Sequence, residues 1–322
     1  MSLVRAERRR FSKRRMNLWC LVIYLGILAA IGSVVFFTTE KVSPETRAAA
    51  QAEADRDYER MVAEYERCQD TPTSERCQGM PEPQREWFQA EGYMPPSFNF
   101  RADSDDFLIL WAILLAMIGF IIGASFVGAE WRSGNMMNLL TWRPKRMQVL
   151  GTKLIVLLGW MTVIGVATFT LWTGVLYGIA TAHGTTEGMT NGAWQSYGLT
   201  GLRGLGMIVG FAAIGFGLAS IGRHIGLALG VALGVIILGQ FGLTIVLFMA
   251  QVPYPEMYLI PTHMQAWMEK RVEVVDPFSN PALNDAPIRI LSWGDSGSIA
   301  LGVVAVILAV AFYTMRRRDI AN

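Results

Sequence analysis

Apolar positions in this chain do not recur every second, third or fourth residue. They gather into six unbroken runs, at residues 18–38, 107–127, 154–180, 205–221, 225–250 and 297–315. About 20 apolar residues wound as a helix reach across a hydrocarbon core roughly 30 Å thick. Barrel strands would alternate apolar and polar residues, and these runs do not. The pattern therefore predicts an all-α integral membrane protein with six transmembrane helices. The first run follows a basic stretch, as a signal peptide would, but it is too long for an h-region. No small-residue cleavage site precedes Thr38, so it reads as an uncleaved span.

Composition agrees, with 52% hydrophobic and 17% charged residues, against about a quarter charged in a soluble domain. Charge then orients the spans. Residues 1–16 hold seven Lys/Arg against Glu7, and residues 128–148 hold four against Glu130. Arg223 sits in the short fourth connection, and three Arg at 316–318 follow the last span against Asp319. The other connections hold eleven basic and twenty-three acidic residues. Basic flanks stay inside, so both termini are expected in the cytoplasm. No acid falls within a span core, which disfavours a proton- or sodium-coupled carrier. Lys153 and Arg203 are placed at span entrances.

Between the runs, residues 1–17 form a basic segment, either a cationic helix on the inner leaflet or a topology signal alone. Residues 39–106 form an extracytoplasmic insertion after the first span. Ser43-Pro44-Glu45 opens a helix there: a capping hydroxyl, Pro at the first helical position, then an acid near the positive end. Cys68 and Cys77 bracket a short polar loop on the outside, as a disulfide or as two unlinked thiols. Cys20 reads as a buried apolar residue. A second outside loop, 251–296, is rich in Pro and reads as short helices and turns, with Tyr254, Tyr258, Trp267 and Trp293 as an interfacial belt. Gly226, Gly230 and Gly234 in the fifth run, Gly206 and Gly210 in the fourth, and Gly119 and Gly123 in the second mark close helix packing. That packing is within one subunit or between two.

Motifs of catalysis are missing. There is no G-x-x-x-x-G-K-[ST] loop and no H-E-x-x-H, and the three His are scattered. Gly294-Asp295-Ser296-Gly297 has the look of a serine-protease tetrapeptide but opens a span, with no suitably placed His in view. Two outside Cys without His partners give no metal site. No catalytic residue, metal or nucleic-acid partner is expected.

The informative stretch joins the second and third spans, residues 128–153. Glu130, Gly134, Leu139, Leu140, Pro144, Arg146 and Lys153 stand in the order acid, Gly four residues on, Leu-rich turn, Pro-x-Arg, then Lys entering the next span. This resembles the signature of type-2 ABC-transporter permeases. Glu7 with Arg10, Arg14 and Arg15 is similar to that family's charged N-terminal helix. Asn135 stands where the family usually has Thr, and the first outside loop is longer than in common members. A helix bounded by Gly134 and Pro144, carrying Met136, Met137, Leu139, Leu140 and Trp142, is too apolar to lie free in the cytosol. The bilayer surface, this chain or a partner protein must cover it.

The resemblance implies a permease subunit of an ABC exporter in a bacterial inner membrane. Residues 128–153 would couple it to a separate ATP-binding cassette subunit that holds ATP and Mg, with no cofactor on this chain. A second permease, a copy or a relative, and membrane lipids complete the expected partners. The empty acid count suits an amphipathic, lipidic or drug-like cargo. A non-transporting membrane scaffold or sensor is the alternative.

Overall fold

The computed structural model describes residues 3–70, 81–142, 145–279 and 288–317. Among the described residues six helices are long and apolar enough to cross a membrane; five of the expected runs fall within one each, and the run 225–250 passes the end of its helix by one residue. They are α2 (Arg15–Thr38), α4 (Phe100–Arg132), α6 (Arg146–His183), α7 (Asn191–Gly222), the stretch Ile225–Met249 and α11 (Trp293–Arg317). Before them comes α1 (Leu3–Ser12), between the first two lies α3 (Pro44–Asp70), and α4 is joined to α6 through α5 (Asn135–Trp142). The fifth crossing is composite: α8 (Ile225–Gly234), a π-helical segment over Val235–Gly242, then α9 (Leu243–Met249). A further short helix, α10 (Ile260–Glu269), precedes the last crossing.

Two compact units divide the chain. The first comprises Met1–Leu28, Asp105–Trp172 and Thr190–Asn322, the second Ala29–Ser104 and Thr173–Met189. In the first, α4 and α7 approach so closely that a side chain at Gly123 would run into the carbonyl of Ala212. One at Gly215 would meet that of Phe120. Glycine is what lets these backbones touch. Phe120, Ala124, Ala219 and Ala228 form the core where α4, α7 and α8 meet. Two indoles in this unit find partners: Trp111 Nε1 donates to Thr168 Oγ1 at 3.1 Å, and Trp172 Nε1 to the carbonyl of Phe107 at 3.1 Å.

On the fifth crossing Gly230 and Gly234 face open space within the chain, and Gly226 meets only the ring of its neighbour His224. Periodicity alone could not tell a stripe packed inside the chain from one that is not. The loop before α11 also holds more than helices and turns. Strands β3 (Arg271–Val275) and β4 (Ile288–Ser292) pair antiparallel, with Arg271 opposite Ser292; the two-residue strands β1 (Phe98–Asn99) and β2 (Gly184–Thr185) run parallel.

In the second unit, Ser43 caps α3 as its sequence predicts, its Oγ accepting from Thr46 N at 3.1 Å. Arg85 pairs with Asp55 at 2.6 Å and Tyr93 donates to Asp57 at 3.2 Å, pinning residues 85–93 along α3. Cys68 lies in the last turn of α3, whereas Cys77 lies outside the described residues.

A His does reach the tetrapeptide at the head of α11. His263 lies 3.1 Å from Ser296 Oγ, a neighbour 33 positions away that no local pattern announces. Ser296 is buried, and Asp295 is taken up in capping: its carboxylate accepts from Ser292 Oγ at 2.7 Å while its N–H donates back at 3.3 Å. The arrangement ties α10 to the start of α11.

Candidate coupling site

The α4–α5–α6 turn is built by residues whose conformations leave few alternatives. α4 ends at Arg132, and Gly134 follows at φ 71°, the left-handed region that glycine enters at little cost. Its carbonyl then accepts from Asn138 N at 3.2 Å, which starts α5. Met136 on that helix is fully buried within the chain, while Met137 and Leu139 are half-buried. Part of the apolar surface expected to need a cover is therefore covered by the protein itself. Arg146 opens α6 and is half-buried. Pro144 and the side chain of Leu140 lie outside the described residues.

Glu130 and Lys153, placed from sequence at opposite ends of this segment, are brought together. Lys153 Nζ lies 2.6 Å from Glu130 Oε2 and donates to Glu7 Oε2 at 2.7 Å. The Glu130 contact is a short charge pairing between two buried groups. Lys153 is 0%, Glu7 1% and Glu130 6% exposed. Lys153, placed from sequence at the entrance of the third span, sits two turns inside α6 and is fully buried. Buried ionisable groups also exist, gathered at one end of the spans, where each offsets another's cost of leaving water.

Glu7 completes this cluster, and α1 delivers it. Only Glu7 and Phe11 of α1 are buried, one turn apart on one face. Phe11 stacks on Trp160 with ring centres 5.8 Å apart and meets Phe126 edge-on at 5.3 Å. Arg10 pairs with the other oxygen of Glu7 at 3.2 Å. Arg14, in the link to α2, donates to the carbonyl of Ser125 at 2.9 Å and lies over the Phe126 ring. Burial pushes its guanidinium below the usual arginine range, opposed by Glu130 and then Glu7. Lys153 Nζ lies 5.2 Å from the centre of the same ring.

The connection from α7 to α8 reaches this end as well. Arg223 takes φ 55° and lays its guanidinium 4.9 Å over the ring of Trp131. Such backbone strain in a residue other than glycine costs about 1–3 kcal/mol and persists where the surroundings impose it. Sequence reading noted Arg223 only as a basic residue; its contact with Trp131 had no signal in the pattern.

The sequence profile described as ABC-2 family transporter protein matches residues 8–320, nearly the whole chain. The protein belongs to that family. This ABC-2 protein is thus a multi-pass membrane permease, a transport component of an ABC transporter. No match was found among individually curated proteins. In this permease the match begins at Arg8, within α1, and takes in the whole buried cluster except Glu7.

Proposed function

We propose that this permease is the membrane half of an ABC exporter and that α5 is its coupling helix. Both termini and residues 128–153 lie in the cytoplasm, with residues 39–106 and 251–296 outside, as the distribution of basic residues directs. ATP and Mg bind a separate ATP-binding cassette subunit, on which the outer face of α5 docks. A second permease faces this one, and the pair sits in a bacterial inner membrane. The cargo is an amphipathic, lipidic or drug-like molecule, in keeping with spans whose acids lie only at their ends.

One observation carries this reading: the Glu130–Lys153–Glu7 cluster. α5 hangs between α4 and α6, and the cluster ties the ends of those two helices to each other and to α1. A push on α5 from a closing ATPase pair is then not lost in a loose loop. It moves α4, α6 and α1 as one body, which is how a cytoplasmic motion reaches the spans.

The test is Leu139→Asp with Leu140→Asp. Two carboxylates in a dry contact cost several kcal/mol if left unpaired, whereas the spans keep their own packing. The variant should reach the membrane at normal abundance yet lose the copurifying ATP-binding subunit and cargo-stimulated ATP hydrolysis. If the unmodified protein, gently solubilised from its native membrane, brings down no ATP-binding subunit, the proposal fails.

A further inference from the structure

Arg203 stands on α7 against α10. Its Nη1 donates to the carbonyl of Met268 at 2.8 Å, and its own carbonyl accepts from Trp267 Nε1 at 2.8 Å. The half-buried guanidinium forms no ion pair among the described residues, and that one hydrogen bond uses one of its five N–H donors. Seven residues earlier, two turns along the same face, Ser196 Oγ accepts from Lys270 Nζ at 3.4 Å. Lys270 likewise has no carboxylate partner among the described residues. It ends α10 at φ 77°, fixed by Trp293 N donating to its carbonyl at 2.8 Å.

These two cations contrast with Arg60 and Arg85, which are matched to Asp57 and Asp55. The nearby carboxylate of Glu269 already accepts from Gln265 at 3.0 Å. Apolar side chains lie beside Arg203 on α7, where Leu199 and Leu202 are exposed on the adjoining positions. An unmatched cation on a membrane helix, flanked by apolar surface, marks a place where an anion with an apolar body fits. The planar fork of Arg suits a carboxylate or phosphate oxygen pair, and Lys adds a point charge.

We propose that Arg203 and Lys270 form a binding site for the oxyanion headgroup of an amphiphile, whose apolar part follows Leu199 and Leu202. As a statement about cargo this rests on the transport reading above; as a statement about binding it does not, and the test separates the two. The purified permease, without its ATPase, is equilibrated with mixed phosphatidylglycerol and phosphatidylcholine. Retained lipid is counted by native mass spectrometry. The wild type should prefer phosphatidylglycerol, and Arg203→Gln and Lys270→Gln should each cut that preference, on the order of tenfold for the arginine. Arg203→Lys should keep most of it, and the exposed Lys270 serves as a site whose change leaves the packing intact.

Millimolar inorganic phosphate is added in a second arm. Failure to displace the lipid assigns the site to a headgroup, and displacement assigns it to a free oxyanion; both keep the charge pair as the binding element. Equal phosphatidylglycerol retention by the wild type and both Gln variants overturns the proposal. Charge-dependent retention with no ATP-driven transfer in the full transporter overturns only its cargo part.

Discussion

Replacing Lys153 with Met isolates the buried cluster. At 2.7 and 2.6 Å from two carboxylates, the ammonium contributes about 6 kcal/mol of gross attraction to each, taking an effective dielectric of about 20. Desolvation of three buried groups offsets most of that. Removing the cation alone leaves two carboxylates with only Arg10 and Arg14 near, so the loss should be about 3–5 kcal/mol. Glu7→Gln spares the Lys153–Glu130 pair and should cost less, about 1.5–3 kcal/mol for one hydrogen bond to a charged group. Because Glu7 and Phe11 are the buried residues of α1, the first visible event should be release of that helix. Limited trypsin digestion, which has Arg5, Arg8, Arg9 and Arg10 to cut, should cleave Lys153→Met much faster than the wild type. Thermal unfolding followed by Trp fluorescence should fall in parallel. The triple change of Glu7, Glu130 and Lys153 to Met removes the three buried charges together, leaving Arg10 and Arg14, and should regain part of the loss, since apolar groups of similar volume replace a buried ion cluster at little net cost. Unchanged trypsin resistance in Lys153→Met, or a triple variant no better than the single, would refute the cluster as the clamp on α1.

Two glycines should respond in opposite directions to the same change. Gly123→Ala puts a methyl against the Ala212 carbonyl and should cost about 1–3 kcal/mol through overpacking; Gly230→Ala, in open space, should gain about 0.5–1 kcal/mol of helix stability. Unfolding of both variants in one detergent checks the pair. Gly134→Val, at φ 71°, should strain the start of α5 and lower copurification of the ATPase subunit without altering abundance on membrane fractionation. Cys68 and Cys77 should both resist thiol mass-tagging without reductant. Joined, they should hold the outer segment by roughly 2–3 kcal/mol, and full tagging of the unreduced protein rules the pairing out.

The spans were legible because burial in lipid demands long apolar runs, a signal carried by each segment alone. Helix starts were legible for a similar reason: Ser43-Pro44 and Gly134 act on their own neighbours. What the sequence could not show were contacts between distant positions. Glu7 meets Lys153 across 146 residues, and His263 meets Ser296 across 33; neither spacing carries a period. Glu130 and Lys153 were singled out by family resemblance, but their mutual contact was not. Of the two options for the glycine stripe of the fifth crossing, packing within one subunit is not seen at Gly230 and Gly234, because small residues allow close packing without requiring it inside the same chain.

The clamp on α1 also sets an order of events during synthesis. Glu7 leaves the ribosome 146 residues before its partner Lys153. At about 5–20 residues per second that is a wait of roughly 7–30 s, spent with α1 cationic and Glu7 facing only Arg10 of its own helix. The choice of which way the first span inserts is therefore made before the clamp can form, and the basic residues of α1 must make it unaided. A third span inserted the wrong way would carry its ammonium to the opposite side, leaving Glu7 with Arg10 alone and α1 without its clamp.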